Sequence, residues 1–125
     1  MTAVMLVEDD TDIRAMVSQL LELEGWRVLS FDDGHDALEA LRAGERPCLI
    51  LLDLMMPKMN GWQFRAEQVR DPELAQVPVV VLSGDARGAD PGSVRADGYL
   101  KKPIDLDVLL ATVRRYAGAE GSPGS

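Results

Sequence analysis

The sequence predicts an α/β protein in which a parallel β-sheet is covered by helices on both faces. Short runs that are apolar without interruption, such as residues 4–7 and 78–82, are typical of strands buried on both sides. Segments with apolar residues at helical spacing follow these runs, and glycine or proline separates the two kinds of segment. Five strand–helix repeats fit into the 125 residues of the chain, which is the size of one compact domain. We therefore expect right-handed βαβ units in a single domain.

The first half of the chain carries two complete repeats. Residues 4–7 form the first predicted strand, and an amphipathic helix follows it through Glu24, with Gly25 as the residue that ends the helix. Residues 26–31 are predicted to form the second strand. A second, short helix is predicted over residues 33–43, where three apolar side chains share one face.

The second half of the chain continues the pattern with three more strands. These strands are predicted at residues 48–52, 78–82 and 99–101, and two helices at residues 61–70 and 105–116. Between the last two strands, Gly88, Pro91 and Gly92 interrupt a segment that has almost no apolar stripe. We therefore expect the fourth helix, within residues 86–96, to be short or irregular.

The composition argues against two classes of partner. Twenty-one acidic residues against 13 basic ones give a net charge of −8, which repels a nucleic-acid backbone, so we expect no direct nucleic-acid binding. No apolar stretch approaches the roughly 20 residues that a membrane span needs, and no signal segment precedes the first strand. We expect a cytoplasmic protein with no membrane anchor. Residues 118–125 are expected to form a flexible C-terminal tail behind a domain of residues 1–117.

Polar and charged residues follow four of the predicted strands. They are Glu8, Asp9 and Asp10 after the first strand, Asp53 after the third, Ser83 after the fourth and Lys102 after the fifth. Because the carboxyl ends of parallel strands meet at one edge of a sheet, we expect these side chains to lie close together. Burying the charge of a carboxylate such as Asp53, at the end of a buried strand, costs several kcal/mol unless another charge compensates it.

Carboxylates that meet at one edge repel one another unless a cation lies between them. Mg²⁺ suits such a site, because it takes oxygen ligands and commonly binds one or two carboxylates together with a phosphate. The hydroxyl of Ser83 can then donate a hydrogen bond, and the ammonium of Lys102 can supply a positive charge, to a phosphoryl group carried on Asp53. An aspartyl phosphate is a recognised covalent intermediate, so these residue types favour phosphoryl transfer.

Four segments of the sequence, taken together, resemble a known family. They are "VEDDTDIR", "LLDLMMPKMNG", "VVVLSG" and "YLKKP". In this order, and spread over nearly the whole chain, they resemble the signature regions of the receiver domain of bacterial two-component response regulators, such as single-domain chemotaxis regulators. The resemblance implies a flavodoxin-like (βα)5 fold, a doubly wound parallel sheet with the strand order 2-1-3-4-5.

The resemblance also implies a role for each residue at the strand ends. Asp53 would be the phosphoacceptor, and Lys102 would contact the phosphoryl group. Asp9 would bind Mg²⁺, or Mn²⁺ in its place, directly, and Glu8 would bind it through a water. Asp53 and the backbone carbonyl of Met55 would complete the protein ligands.

Three further residues match the parts of a conformational switch. The resemblance implies that the Ser83 hydroxyl moves to the phosphate, that Tyr99 is the aromatic residue that responds, and that Pro103 is a cis-proline. Asp10 lies outside the usual acidic pair, and a capping role at the start of the first helix is open to it.

The function that the resemblance implies is a phosphorylation-activated signalling switch in a two-component or phosphorelay system. A sensor histidine kinase or a histidine phosphotransfer protein would donate the phosphoryl group to Asp53, and the domain would then act on a downstream protein that the sequence does not identify. The domain would not be an enzyme, apart from catalysing its own Mg²⁺-dependent phosphorylation and dephosphorylation.

Two other functions remain open at this point. A receiver-like docking module that needs no phosphorylation would keep the same fold. A phosphohydrolase of the haloacid dehalogenase type would also use an aspartyl phosphate, but it requires a second Asp two positions after the nucleophile, where this chain has Met55. A dinucleotide-binding domain is disfavoured, because no Gly-x-Gly-x-x-Gly follows the first strand.

Overall fold

The computed structural model describes residues 3–56, 58–83 and 96–117, with the backbone alone at Ser83 and Ala117. Its five strands are β1 (Ala3–Val7), β2 (Arg27–Phe31), β3 (Leu49–Asp53), β4 (Val79–Ser83) and β5 (Gly98–Lys101). All neighbouring strands are parallel, and they form one sheet in the order β2-β1-β3-β4-β5. This topology confirms the fold class and the strand order predicted from the sequence.

Five helices are described around the sheet. They are α1 (Thr11–Leu23), α2 (Gly34–Arg42), α3 (Gly61–Arg70), α4 (Pro72–Ala75) and α5 (Leu106–Ala117). Within the described residues, the bounds of the predicted strands and helices agree with the structure to within one residue. The fourth helix that the sequence predicts within residues 86–96 and the predicted tail of residues 118–125 lie outside the described residues, apart from Ala96.

Helix α4 is a single turn that the sequence analysis did not predict. The sequence analysis predicted only that the preceding helix ends at residue 70, and α3 does end at Arg70. The Asp71 carboxylate, however, accepts a hydrogen bond from the Glu73 backbone N–H at 3.0 Å, and a proline at the first helical position has its φ angle already set for a helix. The same two residues therefore end one helix and begin the next.

Alternating side chains of the strands build a core on each face of the sheet. Met5 and Val7 of β1 pack on the side of α2, α3 and α4, whereas Val4 and Leu6 pack on the side of α1 and α5. Both sides of the strand are therefore buried, which explains why its sequence is apolar without interruption. Within the described residues, no helix combines the length and the apolar character needed to span a bilayer.

The register of the sheet brings the strand ends to one edge. Val7 is paired with Leu52, Asp53 with Leu82, and Ser83 with Lys101. Gly61 holds the chain close to this edge as it enters α3, because its N–H donates to the Leu54 carbonyl at 2.9 Å. A Cβ atom at this position would lie 2.8 Å from the Leu54 Cα, so only glycine fits there.

Candidate functional site

Asp53 lies at the centre of the carboxyl edge, on the middle strand of the sheet. Its residue is only 3% exposed, and its Oδ1 accepts a hydrogen bond from the Met55 backbone N–H at 3.2 Å. The Nζ atom of Lys102 lies 3.4 Å from the same oxygen. The carboxylate therefore has one neutral donor and one cation beside it and is almost closed to solvent.

Glu8 is a second buried carboxylate at this edge. It directly follows β1, has no exposed surface, and its Oε2 accepts a hydrogen bond from the Asp10 backbone N–H at 3.1 Å. Its Oε1 lies 2.7 Å from Lys102 Nζ. Apart from this ion pair, the buried Oε1 has no hydrogen-bond partner among the described residues. Lys102 thus contacts Glu8 more closely than it contacts Asp53.

Asp9 adds an exposed carboxylate to the two buried ones. One carboxylate oxygen from each of Glu8, Asp9 and Asp53 can be chosen so that all three lie within 4.8 Å of one another, a spacing that can hold a metal ion. We call these three residues the acidic cluster. The sequence analysis predicted that these residues would meet, and the structure brings them together.

The electrostatics of the acidic cluster show an excess of negative charge. Burial and the charge of Glu8 raise the pKa of Asp53 to about 7, and the ammonium of Lys102 opposes this shift only in part. Burial also disfavours the charged form of Lys102, but its contacts with Glu8 and Asp53 outweigh burial and raise its pKa. One ammonium therefore does not neutralise the cluster. The excess charge, the oxygen-only donor set and the buried Oε1 of Glu8, which has no hydrogen-bond partner among the described residues, fit a hard divalent cation.

The structure also describes Ser83, Pro103 and Tyr99, the three residues that the sequence analysis assigned to a conformational switch. The backbone of Ser83 is at the carboxyl edge, paired with Lys101, while its side chain lies outside the described part of the structure. The peptide bond between Lys102 and Pro103 is cis, as the sequence analysis expected. Tyr99 is 46% exposed on β5, and its hydroxyl accepts a hydrogen bond from the Ala96 backbone N–H at 3.4 Å.

Two further residues beside Asp53 have defined surroundings. The side chain of Met55 is on the surface, with the residue 65% exposed, and the role of its carbonyl as a metal ligand stays a prediction. Asp10 caps α1, because its Oδ1 accepts hydrogen bonds from the backbone N–H groups of Asp12 and Ile13. The structure thus gives Asp10 the capping role that the sequence left open.

The sequence analysis missed one residue at this edge. Arg14 reaches back from the first turns of α1, and its Nη1 donates to the backbone carbonyl of Glu8 at 2.8 Å. The same nitrogen lies 3.5 Å from the Asp9 carbonyl. The available signal was an arginine within two helical turns of an acidic pair, a spacing that by itself indicates no particular contact.

Comparison with known proteins identifies relatives over nearly the whole chain. A family model described as the response regulator receiver domain matches residues 4–114. The chain is 30% identical over 116 residues to protein PilH of Pseudomonas aeruginosa, an alignment that covers 90% of this chain and 95% of PilH. It is 30% identical over 119 residues to the polar-differentiation response regulator DivK of Brucella anthropi, covering 93% of this chain and 96% of DivK.

Other relatives are longer than this chain. The DNA-binding dual master transcriptional regulator RpaA of Synechocystis is 37% identical over 120 residues, which are 91% of this chain and 48% of RpaA. The chain spans about half the length of the transcriptional regulators that it matches.

Solved structures agree with the fold. The chemotaxis protein CheY4 of Vibrio cholerae superposes with a TM-score of 0.80 at 31% identity, covering 93% of this chain and 98% of that one. The receiver domain of the sensor histidine kinase PA1611 of Pseudomonas aeruginosa, which holds a magnesium ion in its active site cleft, superposes with a TM-score of 0.86 at 24% identity. That match covers 94% of this chain and 98% of the other.

Proposed function

This chain belongs to the family of response regulator receiver domains, and we propose on that basis that its Asp53 accepts a phosphoryl group from a phosphohistidine. The donor would be a sensor histidine kinase or a histidine phosphotransfer protein. The observation that carries the proposal is the acidic cluster, in which a buried carboxylate at the end of the central strand lies against one lysine and two further carboxylates.

Asp53 and the neighbouring Lys102 have distinct parts in this reaction. A carboxylate oxygen of Asp53 attacks phosphorus, and the electron pair of the phosphorus–nitrogen bond returns to the donor's imidazole. The Lys102 ammonium, 3.4 Å from Asp53, is placed to balance negative charge on the phosphoryl oxygens. The protein supplies position and charge, which is most of what phosphoryl transfer requires.

A divalent cation would be held by Glu8, Asp9, Asp53 and the carbonyl of Met55. Mg²⁺, or Mn²⁺ in its place, would supply charge neutralisation for the attacking carboxylate and the incoming phosphoryl group. The raised pKa of Asp53 supports this assignment, because the carboxylate must be ionised to attack and a cation beside it favours the ionised form.

The phosphoryl group would act as a switch through contacts that exist only in the phosphorylated state. A ligand shifts an equilibrium between two conformations only by its differential interaction with them. We assign that difference to contacts of the phosphoryl oxygens with Lys102 and with the Ser83 hydroxyl. The side chain that responds to these contacts would be Tyr99, which lies on β5, the strand next to that of Ser83. The downstream partner is a protein that recognises the altered surface.

We also propose that the domain turns over no phosphoryl group except its own. A phosphohydrolase that uses an aspartyl phosphate needs an acid or base close to the leaving group. Two positions after Asp53 the chain has Met55, whose side chain has no titratable group. Steady release of phosphate from a phosphomonoester, well beyond one equivalent per protein, would contradict this part of the proposal.

Phosphoryl transfer to variants of the cluster tests the proposal. With a phosphorylated histidine phosphotransfer domain or acetyl phosphate as donor, the wild-type protein should gain one phosphoryl group in the presence of Mg²⁺ and none with EDTA. Asp53→Asn should gain none. The matched control is Asp107→Asn, which removes an exposed carboxylate on α5 and should leave the uptake unchanged. Equal uptake by Asp53→Asn and the wild type would refute the assignment of Asp53.

Titration with beryllium fluoride and Mg²⁺ distinguishes the switch from a docking module that needs no phosphorylation. Beryllium fluoride forms a phosphoryl-like adduct on a carboxylate, so the switch predicts shifts in the amide signals of Tyr99 and Leu100 on β5. An unchanged spectrum at these residues would favour the docking module.

A further inference from the structure

Arg14 contacts the acidic cluster in a way that differs from Lys102. Lys102 lies against carboxylate oxygens of Glu8 and Asp53. The guanidinium of Arg14 instead contacts backbone carbonyls, donating to that of Glu8 at 2.8 Å and lying 3.5 Å from that of Asp9. Arg14 therefore leaves the carboxylate oxygens available to another cation.

The two carbonyls that Arg14 contacts lie on either side of the Asp9 Cα. The Glu8 carbonyl belongs to the peptide plane before Asp9, and the Asp9 carbonyl to the plane after it. Because a peptide unit is planar, fixing both planes fixes φ and ψ at Asp9 and hence the direction of its Cβ. Nη1 makes both contacts, and this one nitrogen can hold both planes because its two N–H donors lie in the rigid plane of the guanidinium.

Further hydrogen bonds close the segment that joins β1 to α1. The Asp10 N–H donates to Glu8 Oε2 at 3.1 Å, which holds the second peptide plane from its other side. The Glu8 N–H donates to the Phe31 carbonyl of β2 at 3.0 Å. The backbone N–H of Arg14 donates to the Asp10 carbonyl at 2.9 Å, which anchors the arginine in α1. Asp9 is therefore held between the sheet and the helix, although its carboxylate is exposed.

We infer that Arg14 is a positioning residue that orients Asp9, and with it Glu8, for a divalent cation. The inference rests on the proposed function, because the cation site is the one used in phosphoryl transfer. A positive charge near a cation site also weakens cation binding through repulsion. Orientation and repulsion therefore predict opposite results when Arg14 is replaced by a neutral residue, and our inference is that orientation is the larger effect.

Calorimetric titration of Mg²⁺ into the unphosphorylated protein tests the inference without any phosphate donor. Arg14→Gln should bind Mg²⁺ about tenfold more weakly than the wild type, the lower end of the range for residues that orient metal ligands. Arg14→Lys, which keeps the charge and one donor group, should lie between the two. The control is Arg27→Gln, which removes an exposed arginine at the opposite edge of the sheet, where β2 begins, and it should bind as the wild type does.

The outcomes separate this inference from the proposed function. If the wild type binds no Mg²⁺, the proposed cation site is wrong. If the wild type binds Mg²⁺ and Arg14→Gln binds it equally well or more tightly, the site stands and the positioning role of Arg14 is refuted.

Amide spectra of the metal-free protein distinguish orientation of the ligands from support of the helix. In Arg14→Gln, the signals of Asp9 and Asp10 should shift or broaden, whereas those of Val17 and Leu21, the buried residues of α1, should stay in place. Shifts of equal size along the whole of α1, together with a matching loss of unfolding free energy, would show that Arg14 only supports the helix and would overturn the inference.

Discussion

The charge of Asp53 should destabilise the protein in the absence of metal, and removing that charge should therefore stabilise the fold. In Asp53→Asn, the amide oxygen can still accept the hydrogen bond from the Met55 N–H, and the new NH₂ group can donate to Glu8. The substitution thus removes a buried negative charge and preserves the shape of the site. Few substitutions of a buried polar residue are expected to stabilise a protein, which makes the prediction specific.

The size of the effect follows from the pKa of Asp53. Burial and the charge of Glu8 raise this pKa from the ordinary value of 3.8 to about 7. Each pKa unit corresponds to about 1.4 kcal/mol, so the ionised carboxylate lowers the free energy of unfolding by about 4 kcal/mol at most. The measured gain should be smaller than this limit, because the repulsion is shared with Glu8 and the denatured chain is not fully extended.

The pH dependence has a definite sign. The pKa of Asp53 is higher in the folded state than in the unfolded state, so the folded protein binds more protons between the two values. The favourable free energy that comes from protonating Asp53 in the folded protein is therefore complete below the pKa of Asp53 in the unfolded chain. It is lost as the pH rises through the folded-state pKa of about 7. The advantage of Asp53→Asn should be largest at neutral pH and above, and should shrink as the pH falls toward about 4.

Urea unfolding in EDTA, followed by tryptophan fluorescence, measures this difference directly. Added Mg²⁺ should raise the stability of the wild type by more than that of Asp53→Asn, because one ligand of the cation is missing in the variant. Asp107→Asn is the control for loss of one exposed negative charge. If Asp53→Asn proves less stable than the wild type in EDTA at neutral pH, the reasoning about excess negative charge is refuted.

Three further predictions concern the scaffold around the site, and urea unfolding checks each of them. Ser18→Ala should raise the free energy of unfolding by about 1 kcal/mol, because the buried Ser18 hydroxyl has no hydrogen-bond partner among the described residues and alanine favours a helix. A decrease of the same size in the free energy of unfolding would contradict this. Asp33→Asn should cost about 0.5–1 kcal/mol at neutral pH, because asparagine keeps the cap on α2 but removes the negative charge at the N-terminus of that helix. Burial opposes ionisation of Asp33, but the backbone donors of Asp36 and its neighbour and nearby positive charge outweigh burial and lower the pKa. That contribution should therefore be lost as the pH falls through the lowered pKa, and a cost that persists in acid would refute it. Gly61→Ala should cost about 1–3 kcal/mol, since its Cβ would clash with the backbone of Leu54, and a variant as stable as the wild type would show that this loop adjusts.

The fold could be predicted from the sequence because the pattern of its elements has few solutions. Continuous apolar strands that alternate with amphipathic helices can be satisfied only by a parallel sheet buried on both faces. That topology also predicts that Glu8, Asp53 and Lys102 meet, since each lies at or directly after the end of a strand at the same edge. The structure confirms both the strand order and the meeting of these residues.

The details of the site could not be predicted, because they depend on side-chain geometry across the fold. Sequence spacing does not show that Lys102 lies closer to Glu8 than to Asp53. Nor does it show that Arg14 binds backbone carbonyls, because such contacts have no pattern of side-chain types. The helical turn at Pro72 was missed for a related reason, since proline both ends and begins helices.

Chemical mapping of the phosphoryl group tests the central claim most directly. The protein would be phosphorylated by a phosphohistidine donor with Mg²⁺, reduced with borohydride and digested, because borohydride converts an aspartyl phosphate to homoserine. Peptide sequencing by mass spectrometry should find homoserine at position 53 and at no other aspartate. Homoserine at a different aspartate, or a phosphoryl group on a serine, threonine or histidine with Asp53 unmodified, would contradict the claim that this carboxylate receives the signal.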